Sequence, residues 1–571
     1  MKMNSIRIYI ILMFLGVFIG ACDMLEPGLD NQDGYDRLLK DPAFCEGLLS
    51  DAYIRLPTAY SFNEVATDDA VSNSNTDNYR RMATGEWSSQ FNPFSSTDQG
   101  WASSYSAIYN INFFLPVIDE TQWSHLSQDR NRYFKKRFKG ESYALRGYFY
   151  AQLLTNYGGI ASNDDLMGVP LITKALEMSD DWKIPRSTYQ ECFDQIISDY
   201  DEAIKLLPNR WGDIPDSLAY NKVFGNVNKN RISGEVVKAL KVRITLHAAS
   251  PAFNGGSYNQ TKCESAANLA GELIVQKGGI SGLPADGVVF YDNDNDITNA
   301  DILWRNNYSN SNTLESNNYP PTLYGNGRVN PSQNLVDAFP MKNGYPIGDG
   351  ASGYDPDAPY AQRDPRLSKY ILTNGATLRS TVINTAADSP TNDGLNKLPE
   401  KSTRTGYYML KFLRVNVNMN PSGPTTARHF YTHIRWTEIY LAYAEAANEA
   451  WGPDGTGTWG FSARDVLRAI RNRAGITQPD NFLDAILTKE DMRTLIRNER
   501  RLELCFEGFR FWDLRRWNSN LTETAKGVSI EGDVYTPVEV ENRVYSSNAV
   551  YGPIPLSDIL KFPGLLQNKG W

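Results

Sequence analysis

Apolar residues at helical spacing near both ends of the chain, and their absence from the stretch between, constrain the fold more than any other feature of these 571 residues. From Trp101, WASSYSAIYNINFFL follows a helical period, and GESYALRGYFYAQLLTNYGG (140–159) does the same before a glycine pair suited to a helix end. These two segments would form a hairpin. Ser187 and Gln190 read as a capping box for YQECFDQIISDYDEAIKLLP, which Pro208 stops, and ISGEVVKALKVRITLHAAS (232–250) follows as its mate. The period returns in WTEIYLAYAEAANEA (436–450), SARDVLRAIRNRAG (462–475) and TKEDMRTLIRNERRLELCFE (488–507). Thr488 and Asp491 cap the last of these, Gly508 ends it, and Gly475 closes its predecessor. Irregularly spaced helical hairpins with aromatic and alanine inner faces are the pattern of a tetratricopeptide-like scaffold.

Between the helical ends the texture changes to Gly, Asn, Asp, Ser, Tyr and Pro, with short apolar runs such as DILW and YYMLKFL. Its aromatics need burial or a ligand, so this is a folded lobe with small strands and not a linker. The expected fold is therefore mainly α, a helical-repeat scaffold carrying a large, irregular, loop-rich lobe. Its parts are a signal segment at 1–21, an N-terminal helical part with loops at 22–276, the irregular insertion at 277–432 and C-terminal repeats at 433–571. The signal segment rests on Lys2 and Arg7, the apolar run from Ile8 to Ile19, and Ile19-Gly20-Ala21-Cys22, which is similar to a bacterial lipobox. Cys22 would carry the lipid, and acyl chains contribute about 0.8 kcal/mol per buried methylene to membrane attachment.

Several chemistries are disfavoured. A net charge of −9 argues against nucleic acid, whose phosphates require a clustered cationic surface. Cys45, Cys192, Cys263 and Cys505 are scattered, without CxxC, so neither a zinc site nor a disulfide framework is indicated. His429 and His433 stand four apart, but HFYTH lacks the metalloprotease glutamate, and in an extended segment the two would lie about 13 Å apart. DNDNDITNADIL (292–303) starts like a calcium loop, yet Ile297 and Leu303 occupy the positions of the turn glycine and the bidentate glutamate. Nucleophile-elbow and Walker motifs are absent, and no motif frames a glycosidase pair. The expectation is no catalytic residue, no resident metal and no cofactor.

Four features together carry a family resemblance: the lipobox; RWTEIYLAYAEAANE (435–449); NRAG with RNERRLELCFEGFRFWDLRRW; and the tail YGPIPLSDILKFPGLLQNKGW. NPSQNLVDAFPMKNG (330–344) fits as well. The chain resembles the RagB/SusD family of nutrient-binding outer-membrane lipoproteins, across essentially its whole length after Cys22. Phe562 stands where the tail pattern usually has asparagine. The resemblance implies a non-catalytic protein, lipid-anchored at the cell surface, that captures oligosaccharides for a SusC-like TonB-dependent transporter. A fructan such as levan is the first expectation for the glycan; peptide or another nutrient on the same scaffold, and a surface hydrolase, are the alternatives.

Sugar rings are held by flat apolar faces, and their hydroxyls by carboxylates, amides and guanidinium groups. In loops such residues need not serve the core. On that ground the candidate ligand-binding residues are Asp68, Asp69, Tyr79, Arg81 and Trp87 in the first polar stretch, with Trp304, Tyr319, Tyr324, Arg379 and Tyr407 in the insertion. Trp304 and Tyr407 fit buried strands equally well, and Asp69 fits a turn cap. NERRLELCFEGFRFWDLRRW reads as scaffold: Arg500 would pair with Glu503, Glu490 with Arg493, and Glu499 with an arginine from another element.

Overall fold

The computed structural model describes residues 40–96, 100–292 and 299–571. The signal segment with Cys22 and half of the calcium-like stretch lie outside the described residues. Among the described residues no helix is long and apolar enough to cross a membrane.

The helices that matter below are α1 (Pro42–Ile54), α2 (Trp101–Val117), α3 (Gln128–Tyr157), α4 (Tyr189–Leu206), α5 (Gly234–Ala249), α6 (Gln260–Lys277), α7 (Trp436–Trp451), α8 (Ala463–Ala474), α9 (Lys489–Glu503) and α10 (Arg510–Arg516). The expected helices are all present, with shifted ends. α3 starts a full three turns before residue 140, because Ser127 caps it and its first turns are lysine- and arginine-rich surface with little periodicity. The capping box of α4 is Thr188 with Glu191, one residue later than expected, since each side chain bonds the other's backbone N–H. α1 and α6 were not foreseen. The buried face of α6 is small over its first turns (Cys263, Ala266, Ala267, Ala270) and gains Leu273 and Ile274 only near its end; it packs against the alanine-rich α7, so little hydrophobic contrast marks it.

The helices before residue 277 and those after 433 share one core, in which Phe149, Tyr200 and Leu240 join Tyr440, Leu441 and Leu467. The insertion has a second core, built around Tyr319, Phe339, Tyr370, Tyr407 and Tyr408. Its short strands pair in twos. Ile302–Arg305 lies antiparallel to Thr432–Arg435, and Ser309–Ser311 to Ala427–His429, so the insertion leaves and rejoins the scaffold along one ribbon. A smaller aromatic cluster joins Trp87, Phe94, Phe511 and Leu514.

The NERRLELCFEGFRFWDLRRW segment is where the three cores meet. Leu504 belongs to the first, Leu502, Cys505 and Phe506 to the second, and Phe511 with Leu514 to the third. That division explains why α9 stops at Glu503 instead of running on to Gly508. Lys411 Nζ donates to the carbonyls of Glu503 and Cys505, supplying a cation at the negative end of the helix, and Phe506 turns into the left-handed region (φ 62°) to enter the second core.

Around this junction runs a buried lattice of charges. Glu503 meets Arg366, Arg435 and Arg473, and Glu499 pairs with Arg366 and Arg471, so its partners do come from other elements. Arg500 departs from expectation: it reaches Asp513 at 2.7 Å and leaves Glu503 to the other arginines. Glu490 and Arg493 lie 3.8 Å apart, a loose contact, because Arg493 is held by Glu449 at 2.6 Å. The four described cysteines are buried free thiols.

Candidate functional site

Where α3, the 57–63 loop and the α9–α10 turn converge there is a groove of about 470 Å³. Gln152 and Asn156 line it; four residues apart on α3, they share one helix face. Neither side-chain amide has a hydrogen-bond partner among the described residues, although Leu153, Leu154 and Tyr157 beside them are fully buried. Around these amides stand Tyr60, Tyr79, Phe94, Tyr431 and Trp512.

Each ring is held from behind. Tyr60 stacks on Phe412 at 4.0 Å and leans on Tyr431 at 4.8 Å, and its hydroxyl accepts from the Thr432 N–H. Tyr79 sits 5.4 Å from Phe94, with its hydroxyl bonded to Ser61. The half-buried Trp512 packs on Phe94 at 4.6 Å, while Arg515 lies 5.0 Å over its ring. Fixed rings beside free amides are an arrangement that can grip a polyol, because the ring orientations are already ordered before binding.

The charged groups at the rim differ in how they are satisfied. Glu507 is gripped by Arg435 and Lys411, at 2.7 to 2.8 Å. Glu64, just beneath, is buried and receives the Gly508 N–H on Oε1, with Oε2 unpartnered. Burial therefore raises its pKa, to about 7, against the opposing pull of its backbone hydrogen bonds. Gly508 has φ 83°, a conformation that admits glycine, and its carbonyl accepts from Asn63 Nδ2.

Of the residues expected from sequence, only Tyr79 lines this groove. Trp87 is 9% exposed, wedged between Phe511, Tyr545 and Trp571, which corrects its reading as an exposed stacking ring. Trp304 stacks on His433 at 4.1 Å and donates to the Asn230 carbonyl, so it too is core. Tyr319 and Tyr407 are at most 1% exposed, with hydroxyls donating to the Arg414 carbonyl and to Gln333 Oε1. These four rings satisfy the cores, and a sugar cannot reach their faces.

Asp68 and Asp69 are buried too, and act as a structural clasp on Arg501 and Arg510. Burial opposes both charges, but the two guanidinium groups carry Asp68 below the usual carboxylate range, whereas Asp69 ends above it. Arg81 pairs with Glu86 and covers the Phe91 ring on the surface. Tyr324 and Arg379 are brought together by the 417–420 loop: Arg379 donates to the Val417 carbonyl and approaches Asn418, while Asn420 reaches the Tyr324 hydroxyl at 3.5 Å. Tyr324 is more than half exposed, and both residues have left-handed backbones (φ 65° and 50°), a strain held by the loop.

Gln152, Asn156, Tyr60, Tyr431, Glu507 and Trp512 were missed. One signal was available, since glutamine and asparagine four apart interrupt the otherwise aromatic and aliphatic YFYAQLLTNY. Trp512 was hidden inside a segment whose other aromatics are structural. His429 meets Glu315 at 3.2 Å and His433 lies on Trp304; among the described residues no group of three His, Cys, Asp or Glu converges as a metal set.

The family profile described as "SusD family" matches residues 287–571, and one described as "Starch-binding associating with outer membrane" matches residues 32–222. A SusD-like protein, P38, of Formosa agariphila is 25% identical over 552 residues, covering 90% of this chain and 92% of that protein. Among solved structures, a SusD-like protein of Bacteroides fragilis superposes with a TM-score of 0.73 at 24% identity, covering 95% of this chain and all of the other. A SusD-like carbohydrate binding protein of the same species gives 0.71 at 20% identity, with 92% and 99% covered.

Proposed function

The chain belongs to the SusD family, and from that premise we propose that it is a glycan-binding lipoprotein of the cell surface. It is anchored to the outer membrane through Cys22, retains oligosaccharide in the α3 groove without breaking a bond, and passes it to a SusC-like TonB-dependent transporter. The observation that carries this reading is the pair of uncommitted amides, Gln152 and Asn156, facing the fixed rings of Tyr60, Tyr79 and Trp512. A polyol satisfies both at once, its hydroxyls bonding the amides and its C–H faces lying on the rings. The family description of starch binding and the carbohydrate-binding relative support the same ligand class. The exposed Tyr324, with Arg379, Asn418 and Asn420 beside it, forms a second, separate face on which a longer chain could lie.

Isothermal titration of the protein against levan, starch, hemicellulose and peptide ligands tests the proposal. Binding of at least one glycan, recovered intact after long incubation, is expected. Tight peptide binding with no glycan bound, or turnover of the glycan, overturns it.

A further inference from the structure

Behind the groove lies a second cavity, of about 170 Å³, which shares Gln152, Tyr431, Glu507, Gly508 and Trp512 with the groove wall. An apolar cavity of roughly 150 Å³ holds a benzene ring, so this volume suits one five- or six-membered ring. Its lining differs from that of a dry cavity. Thr432 and His433 are each more than nine-tenths buried; His433 Nδ1 has no hydrogen-bond partner among the described residues, and the Thr432 hydroxyl has only the Tyr60 hydroxyl beside it. The His433 ring is clamped flat on Trp304 and edge-on to Tyr431, 5.0 Å away, and so cannot swing out to water.

The charges in the wall are already matched. Arg243 holds Glu438 through two contacts of 2.6 Å, Arg500 holds Asp513, and Arg516 spans Asp513 and Glu445. An anionic ligand would find no spare cation there and would face three carboxylates, those of Glu438, Glu507 and Asp513. Burial, with Arg243 nearby, holds the His433 imidazole neutral, its pKa lowered to about 3. A neutral imidazole and a threonine hydroxyl each exchange hydrogen bonds with an alcohol.

We propose that this cavity is a terminal-unit subsite: it takes one uncharged sugar ring from the end of the oligosaccharide lying in the groove, with hydroxyls on Thr432 Oγ1 and His433 Nδ1. The inference rests on the glycan reading above and sharpens it to recognition of chain ends. Tyr60 links the two spaces, its ring on the groove wall and its hydroxyl on the Thr432 backbone.

The test is titration of the double variant Thr432→Val, His433→Phe against the wild-type protein. The ligand is an oligosaccharide that the wild type binds, used intact and with its terminal unit capped by a bulky group. Both substitutions preserve shape, one removing an unpartnered nitrogen and the other a hydroxyl whose neighbour is Tyr60, so the melting temperature is expected to stay close to that of the wild type. Affinity for the uncapped ligand is expected to fall at least about tenfold, two neutral hydrogen bonds being lost together. Capping should weaken the wild type similarly and leave the variant unaffected. Should the double variant fail to fold, Ala151→Leu, which fills the cavity from α3, is expected to show the same loss. Unchanged affinity in the folded variant means the cavity holds water only and overturns the subsite alone. A wild type that binds no glycan overturns the subsite together with the function it refines.

Discussion

Two glutamates, one in the scaffold and one beneath the groove, are buried to the same degree and shifted in opposite directions. Glu445 receives Arg516 on both oxygens and the Trp517 indole N–H; burial alone would raise its pKa, but these partners lower it to about 2. Glu64 has only backbone N–H groups for partners, its own and that of Gly508, and is raised to about 7. The contrast extends to their surroundings. Around α9, Arg366, Arg435, Arg471 and Arg473 share the carboxylates of Glu499 and Glu503, whereas in the groove and the cavity behind it Gln152, Asn156 and His433 keep unbonded side-chain atoms. The charge lattice fixes the fold, and the proposed ligand contacts are groups that the fold leaves unpaired.

The largest effects are expected on the scaffold side. Glu503→Ala strips the shared partner from Arg366, Arg435 and Arg473, and a broken buried pair costs about 3 to 5 kcal/mol. Trp87→Ala should cost a similar amount, about 3 to 5 kcal/mol, by emptying the aromatic cluster. Denaturant unfolding checks both. A Trp87→Ala protein of native stability that has lost ligand affinity would restore that ring as a contact and break the comparison.

Next in size is a difference in pH dependence. A carboxyl raised in the fold binds protons that the unfolded chain has released, so Glu64 removes stability as pH climbs from 4.5 through about 7. Glu64→Gln keeps an acceptor for the Gly508 N–H and should gain about 3 kcal/mol over wild type at pH 8, with little difference near pH 4. Glu445 works the other way: its contribution is whole above pH 4.5 and drains as pH falls toward 2. Unfolding curves for Glu64→Gln that parallel wild type across this range would show that Glu64 is satisfied after all.

Smaller effects belong to binding. Trp512→Ala is expected to weaken glycan affinity by about 1 to 3 kcal/mol, read by titration below the melting temperature of the variant. Gln152→Ala and Asn156→Ala should each lose about 0.5 to 1.5 kcal/mol of affinity while leaving stability within about 0.5 kcal/mol, because neither amide holds the fold. Loss of stability without loss of affinity would move both residues to the scaffold side.

Much of the fold was legible because helical periodicity and caps are local. Thr488, Ser462 and Gly475 mark ends that the structure keeps. α6 escaped because an alanine-rich buried face looks like any mild helix, and α9 was overextended because its end is set by Lys411, nearly a hundred residues earlier in the chain. The binding surface was harder to read. Locally Trp87 reads as a ligand platform, and Trp304 and Tyr407 fit a platform or a buried strand equally well; distant residues decide all three: Trp571 covers Trp87, His433 covers Trp304, and Gln333 receives the Tyr407 hydroxyl.

By itself, then, the sequence determined most of the long helices, that the middle is a folded lobe, and which family the ends belong to, because spacing and motif are properties of contiguous residues. Only the tertiary structure decided which polar groups are spoken for. Asp68 and Asp69 looked free and are clasped by Arg501 and Arg510, while Gln152 and Asn156 looked like helix filler and line the groove without side-chain partners, Asn156 largely buried. Whether a buried carboxylate or amide has a partner depends on side chains hundreds of residues away, which no local spacing reveals.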